Sequence, residues 1–272
     1  MKRQQIFIVV LAVLSIAGLY SLPRIVVDND DSDSEMLVDM PEADNAGIMH
    51  SEALPEEVVP VIQKWKGDLL KGSEMTQNEA ALDSLMLVFQ SVNKYDSAAY
   101  YAGRYADSYP DTDHWRKAGD AYYEAFRFAV DEAKTQRLAI KARGFYDQIL
   151  NTGVTDLDVK NNIAMMMVWT TNPMSGVMML REILVEDPQN EQALFNMGIL
   201  SVESGQFEKG LERFQELIKY HPNHFEGNYW LAVCLNETGD KEAALTQFDK
   251  VKKMDSSPAI QSAVDAYLKR IK

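Results

Sequence analysis

Gly198, Gly205, Gly210, Phe214 and Leu217 are followed at an interval of 34 residues by Ala232, Gly239, Ala244, Phe248 and Val251. The two stretches, ALFNMGILSVESGQFEKGLERFQELIKYHPNH and NYWLAVCLNETGDKEAALTQFDKVKKMDSS, share apolar spacings of three and four, the pattern of helices with one buried face. In each unit a first helix carries a small residue, Gly198 or Ala232, that lets a second helix approach closely. A glycine turn follows, ESGQ or ETGD, and the second helix presents a small residue and an aromatic four residues apart. Neither hairpin could bury its apolar face alone, so the period requires stacking on a neighbour of the same kind.

These residues resemble the tetratricopeptide repeat family, with Pro222 in the place of its terminating proline and Ser256 standing there in the second unit. Shifted back by 34, the register selects Ala164, Gly176, Leu180, Ile183 and Pro188, a degenerate unit whose turn carries Asn172 and Pro173 instead of glycine. Further upstream, Trp115, Gly119, Ala142, Tyr146 and Ile149 fit a hairpin lengthened by eleven residues, predicted to project about three extra turns. Ala98, Ala102, Tyr105 and Pro110 fit the second helix of a first repeat. At the other end, Ser257 and Pro258 can open a helix with Ile260, Val264, Tyr267 and Ile271 on one face. The resemblance implies an all-α, right-handed α-solenoid of stacked antiparallel hairpins. The repeat domain is expected over 58–272, with the clearest units at 191–224 and 225–256, the degenerate one at 157–190 and a capping helix at 257–271.

Before the repeats, Lys2 and Arg3 precede an uncharged apolar run from Ile6 to Leu22. It predicts an N-terminal transmembrane helix, a membrane anchor over 1–24, with a cleaved export signal as the alternative. Residues 25–57 are expected to be a disordered tether, since Asp28 to Glu57 holds eleven acidic residues and no lysine or arginine. DNDDSDSE resembles an EF-hand loop only superficially, lacking its glycine and final glutamate. Together these features predict a single-pass protein of a bacterial inner membrane with its array facing the periplasm. A net charge of -14 without a basic patch argues against nucleic acid as a partner.

No nucleophile elbow, phosphate loop, His-Glu-x-x-His element or paired-cysteine site is present, and no cofactor is expected. The single cysteine, Cys234, sits among apolar residues in YWLAVCL and reads as core. His221 and His224 flank a proline, which favours surface residues over a metal pair. NNIAMMMVWTTNPMSGVMML raises copper binding, because thioethers suit soft monovalent copper and Met174 and Met178 are one turn apart. No histidine or cysteine accompanies them, and methionine commonly fills irregular cores.

In tetratricopeptide arrays the first helices line the concave surface. Transferred by register, that surface comprises Asn161, Met165, Val168 and Trp169, then Phe195, Ile199 and Val202, then Tyr229, Val233 and Asn236. This stripe is apolar and lacks the lysines and arginines with which some members clamp a partner's terminal carboxylate. The sequence thus predicts a non-catalytic, membrane-anchored adaptor or scaffold for another envelope protein or peptide, with homo-oligomerisation also open. The alternatives are an assembly or maturation factor, like the tetratricopeptide modules of cytochrome c maturation, and a Met-rich copper-binding protein.

Overall fold

The computed structural model describes residues 55–71, 75–170 and 172–271. Contacts group the chain into two units, Met1–Asn45 and Ala46–Lys272, and the described helices belong to the second. Among the described residues there are twelve helices and no strand: α1 (Val59–Lys71), α2 (Met75–Ser91), α3 (Tyr95–Ser108), α4 (Thr112–Arg127), α5 (Glu132–Asn151), α6 (Leu157–Trp169), α7 (Pro173–Glu186), α8 (Glu191–Glu203), α9 (Phe207–Tyr220), α10 (Phe225–Glu237), α11 (Lys241–Met254) and α12 (Pro258–Ile271).

Local chemistry sets most of these boundaries. Asp111, Asp131, Asp156, Asn172, Asn190, His224 and Asp240 each accept a hydrogen bond from a backbone N–H three residues on, satisfying a donor that the first helical turn leaves unpaired. Gly205 and Gly239, at equivalent turns, hold φ of 72° and 96°, where a Cβ would be strained. The degenerate turn reaches the same result by another route: Asn172 caps α7 and Pro173, which has no N–H to lose, takes its first turn.

The helices pair as hairpins α2–α3, α4–α5, α6–α7, α8–α9 and α10–α11; α1 packs on α2 and α12 on α11. Second helices α3, α7 and α9 pack against the first helix that follows, which makes the hairpins a stacked, tetratricopeptide-like array. Close approach within a hairpin depends on the small positions. A Cβ on Gly119 would lie 2.6 Å from the Tyr146 ring, and one on Gly198 would lie 2.6 Å from the Phe214 ring. These pairs are 27 and 16 residues apart, so the same contact is kept across the eleven-residue insertion. The insertion is not a uniform three-turn projection: α4 has 16 residues and α5 has 20, against 13 and 14 in α8 and α9, so most of the excess lies in the second helix.

The core runs through the array as a series of buried clusters: around Tyr146, Ile149 and Ile163; around Ala164, Leu180 and Ile183; around Leu194, Phe214 and Leu217; and around Ala232, Phe248 and Val251. Val264 of α12 joins the last of these. Cys234 is buried between α9 and α10, with its Sγ 3.1 Å from where a Cβ on Gly210 would lie. Desolvation, reinforced by Glu237, pushes its thiol pKa up to about 12, which makes it a small apolar filler rather than a reactive group.

One expectation requires correction. No helix among the described residues is long and apolar enough to cross a membrane. The segments read as an anchor, 1–24, and as most of an acidic tether, 25–57, fall outside the described residues up to position 54. Among the described residues the fold is an all-α hairpin array with no membrane-spanning helix, so it gives no support to the single-pass inner-membrane and periplasmic placement, which rested on such a helix. The alternative of export after cleavage rested on the same residues.

Candidate functional site

The stripe taken from the register lies on α6, α8 and α10, consecutive first helices that contact one another. Its members differ in what covers them. Asn161 is buried: its Nδ2 donates to Gln192 Oε1 at 2.8 Å, and Asn196 Nδ2 donates to its Oδ1 at 3.3 Å, so it ties α6 to α8. Met165 is only 7% exposed and packs with Leu180, Ile183 and Met197. Val168 is half-buried and leans on α7 beside Gly176. Trp169, the last residue of α6, is 53% exposed.

On α8, Phe195, Ile199 and Val202 are half-buried against one cluster, and the Phe195 ring stacks on His224 with centroids 5.0 Å apart. On α10, Tyr229 meets Trp230 and Phe248 edge-on at 5.6 and 5.8 Å, while Val233 is buried. Asn236 is half-buried and donates to Glu237, which also accepts from the Tyr267 hydroxyl of α12 at 3.1 Å. The stripe is thus a set of partly covered apolar side chains with one broadly exposed aromatic at the α6 end.

Extending the register upstream locates what the sequence reading left out. Arg116, Asp120 and Tyr123 of α4 stand where Asn161, Met165 and Val168 stand on α6, and this part of the first-helix row is bridged by charge. Lys117 Nζ lies 3.0 Å from Glu79 and 2.8 Å from Asp83, both on α2, and Gln90 Nε2 donates to Glu124 at 2.8 Å. Arg116 pairs with Asp156, and the Tyr146 hydroxyl donates to Asp120 at 2.7 Å while accepting from Asn162 at 2.9 Å. Burial, then the Asp120 carboxylate, pushes the Tyr146 hydroxyl far above its ordinary pKa, so it stays a neutral bridge among α4, α5 and α6.

Asp156 both caps α6 and receives Arg116. Desolvation alone would raise its pKa, but hydrogen bonds from Arg116 and from the Val159 N–H, aided by the guanidinium charge, hold it below the usual carboxylate range. A folded pKa below the unfolded one supplies stability at pH above the unfolded value, about 3.9, and that stability is lost as pH falls through the folded value. Acid unfolding followed by circular dichroism is expected to show this loss below about pH 4 in the parent and its absence in Asp156→Asn, which should be less stable at neutral pH. Identical acid limbs would refute the assignment.

The metal readings fail on geometry. Among the described residues no group of three or more His, Cys, Asp and Glu could hold a metal ion. His224 Nδ1 accepts the Gly227 N–H at 2.9 Å as the α10 cap, and His221 Nε2 lies 2.7 Å from the Gln189 carbonyl. The methionines do not gather: Met165 and Met166 are buried in different clusters, whereas Met174 and Met178 are 65% and 52% exposed. The copper-binding alternative is corrected accordingly. The assembly or maturation alternative is corrected with it, since it assumed a membrane-held module and no described helix could span one.

A separate groove of about 440 Å³ opens between α3 and α5, with Ala106, Trp115, Ile140, Gly144 and Phe145 among its walls and Asp107 and Lys141 also lining it. It contains no constellation suited to acid–base or nucleophilic chemistry.

Comparison with known proteins follows the same lines. A tetratricopeptide repeat family model matches residues 195–259, from α8 into the start of α12. Surface lipoprotein assembly modifier 1 of Neisseria meningitidis serogroup B is 28% identical over 111 residues, which are 40% of this chain and 23% of that protein. The chain therefore spans less than a quarter of that relative's length. Among solved structures, a tetratricopeptide repeat protein from Parabacteroides merdae superposes with a TM-score of 0.54 at 16% identity, covering 78% of this chain and 79% of that one. YrrB, described as a tetratricopeptide repeat protein with an unusual peptide-binding site, covers 78% of this chain and 98% of its own at 16% identity, but its TM-score of 0.42 adds nothing to the fold argument. The described chain is an all-α, tetratricopeptide-like array of helical hairpins.

Proposed function

We propose that the array is a non-catalytic scaffold that binds a protein or peptide along its first-helix row, using the Trp169, Phe195, Ile199, Val202 and Tyr229 surfaces. The observation that carries this reading is the exposed Trp169 ring at the end of a row of half-buried apolar side chains on three contacting helices. A large aromatic left half in water offers contact area at low entropic cost, and such residues dominate binding energy where they are found. Asn161, Met165 and Val233 support the row from beneath rather than touching a partner, because the fold already covers them. The partner surface that suits this row is apolar, with polar groups at its margin to meet Asn236 and the α4 charges.

The test is selection of binding peptides on the full chain, followed by titration against Trp169→Ala. Trp169 is 53% exposed at the end of α6, and its loss is expected to weaken the selected peptides about tenfold or more with the melting temperature unchanged. Peptides that bind the variant as tightly as the parent would place the interaction elsewhere.

A further inference from the structure

We propose that Met174 and Met178 form a reversible oxidation site on the exposed face of α7. With Val185 they make one stripe, at spacings of four and seven residues, and all three are more than half exposed. The register shows that stacking does not require apolar groups there. At the equivalent positions α9 carries Glu208, Glu212 and Lys219, and α11 carries Glu242, Thr246 and Lys253, the charged and polar residues expected of a solvent face. Two thioethers therefore occupy positions that water reaches freely and that the fold leaves unconstrained. The other methionines whose surroundings are described are covered: Met165, Met166 and Met197 are buried, and Met86, Met167, Met179 and Met254 are half-buried.

Thioether oxidation follows access, and the oxidant is a hydroperoxide. The sulfur lone pair attacks the terminal peroxide oxygen; an S–O bond forms as the O–O bond breaks, and the terminal proton passes to the departing oxygen, which leaves as water or an alcohol. Sulfur is oxidised by two electrons and the peroxide is reduced by two. In the reverse direction a methionine sulfoxide reductase supplies two thiols, which become a disulfide as the sulfoxide oxygen leaves as water. The product is a polar, chiral group on a stripe that was apolar, so the α7 face changes its chemistry while the core beneath it does not.

The experiment treats the full chain with hydrogen peroxide and follows each methionine by peptide mass spectrometry. Met174 and Met178 are expected to oxidise at least about tenfold faster than Met165, Met166 and Met197, with helicity retained, and to return to the thioether on treatment with both sulfoxide reductase classes. In the double variant Met174→Leu, Met178→Leu, the remaining described methionines should all oxidise slowly, and the melting temperature should be kept. Rates within about twofold across all methionines, earlier oxidation of the buried set, or sulfoxides that the reductases do not remove would each overturn the proposal.

Discussion

Phe214→Ala is expected to lower the unfolding free energy by about 3–5 kcal/mol, the range for emptying the volume of a fully buried aromatic. Phe214 has no exposed surface, sits in the cluster with Leu194, Leu217 and Leu231, and covers Gly198 so closely that no Cβ fits between them. Gly198→Ala alone is expected to destabilise, because its methyl would meet ring atoms at 2.6 and 2.7 Å. In the Phe214→Ala background the same methyl has room and also improves helix propensity, so its sign should reverse. Urea melts of the four proteins in this cycle measure the coupling. Strict additivity would mean that the two residues do not define the hairpin contact. The last regular unit sets the scale of tolerance: Ala232 stands at the equivalent small position with Phe248 at the aromatic one, both fully buried.

The second large effect is at the small position of the second helix in the degenerate hairpin. A Cβ on Gly176 would collide with the Ala164 carbonyl oxygen and meet the Val168 backbone nitrogen at 2.9 Å, so the obstacle is main chain that cannot rotate aside. Gly176→Ala is expected to cost about 1–3 kcal/mol in overpacking, more than the gain of up to about 1 kcal/mol from replacing a mid-helix glycine. Gly210→Ala, at the same register position in the next hairpin, meets the Cys234 sulfur at 3.1 Å and a Val202 methyl at 3.2 Å, with the nearest main-chain atom, the Gly198 carbonyl oxygen, at an ordinary 3.6 Å, and should come out near neutral. Thermal melts that rank the two variants in the opposite order would show that α6 and α7 do not approach as closely as α8 and α9 allow.

These effects also show why the repeat could be read from sequence. Small and aromatic positions recur because two helices can approach only where a side chain is missing and a ring fills the space left, and that requirement is local to one hairpin. Gly119 with Tyr146 satisfies it across an eleven-residue insertion, which is why the upstream unit stayed recognisable. The turns were legible for the same reason, through Gly205 and Gly239 and through the Asn172–Pro173 substitute. How the eleven residues divide between α4 and α5 was not legible, since periodicity alone does not say where the turn falls; the Asp131 cap sets it.

Register assigns a stripe to each first helix, whereas its exposure was not legible. Register placed Asn161, Met165, Val168 and Trp169 on one stripe, but only neighbouring helices determine what water reaches. Gln192 and Asn196 of α8 close over Asn161, the Leu180 and Ile183 side chains of α7 enclose Met165, and Trp169 extends past them at the helix end. The bridges Arg116–Asp156 and Lys117–Glu79 join residues about 40 positions apart, a pairing that no local pattern encodes.

The methionine-rich stretch shows the division most clearly. By itself the sequence determined that a hairpin spans it, with Ala164 and Gly176 at the crossing and Leu180 and Ile183 facing inward, because those requirements repeat with the period. Only the tertiary structure decided that Met165 and Met166 enter the core while Met174 and Met178 face solvent. A thioether is apolar and flexible enough to be accepted in either setting, so its own chemistry does not select one; the packing of adjacent helices does.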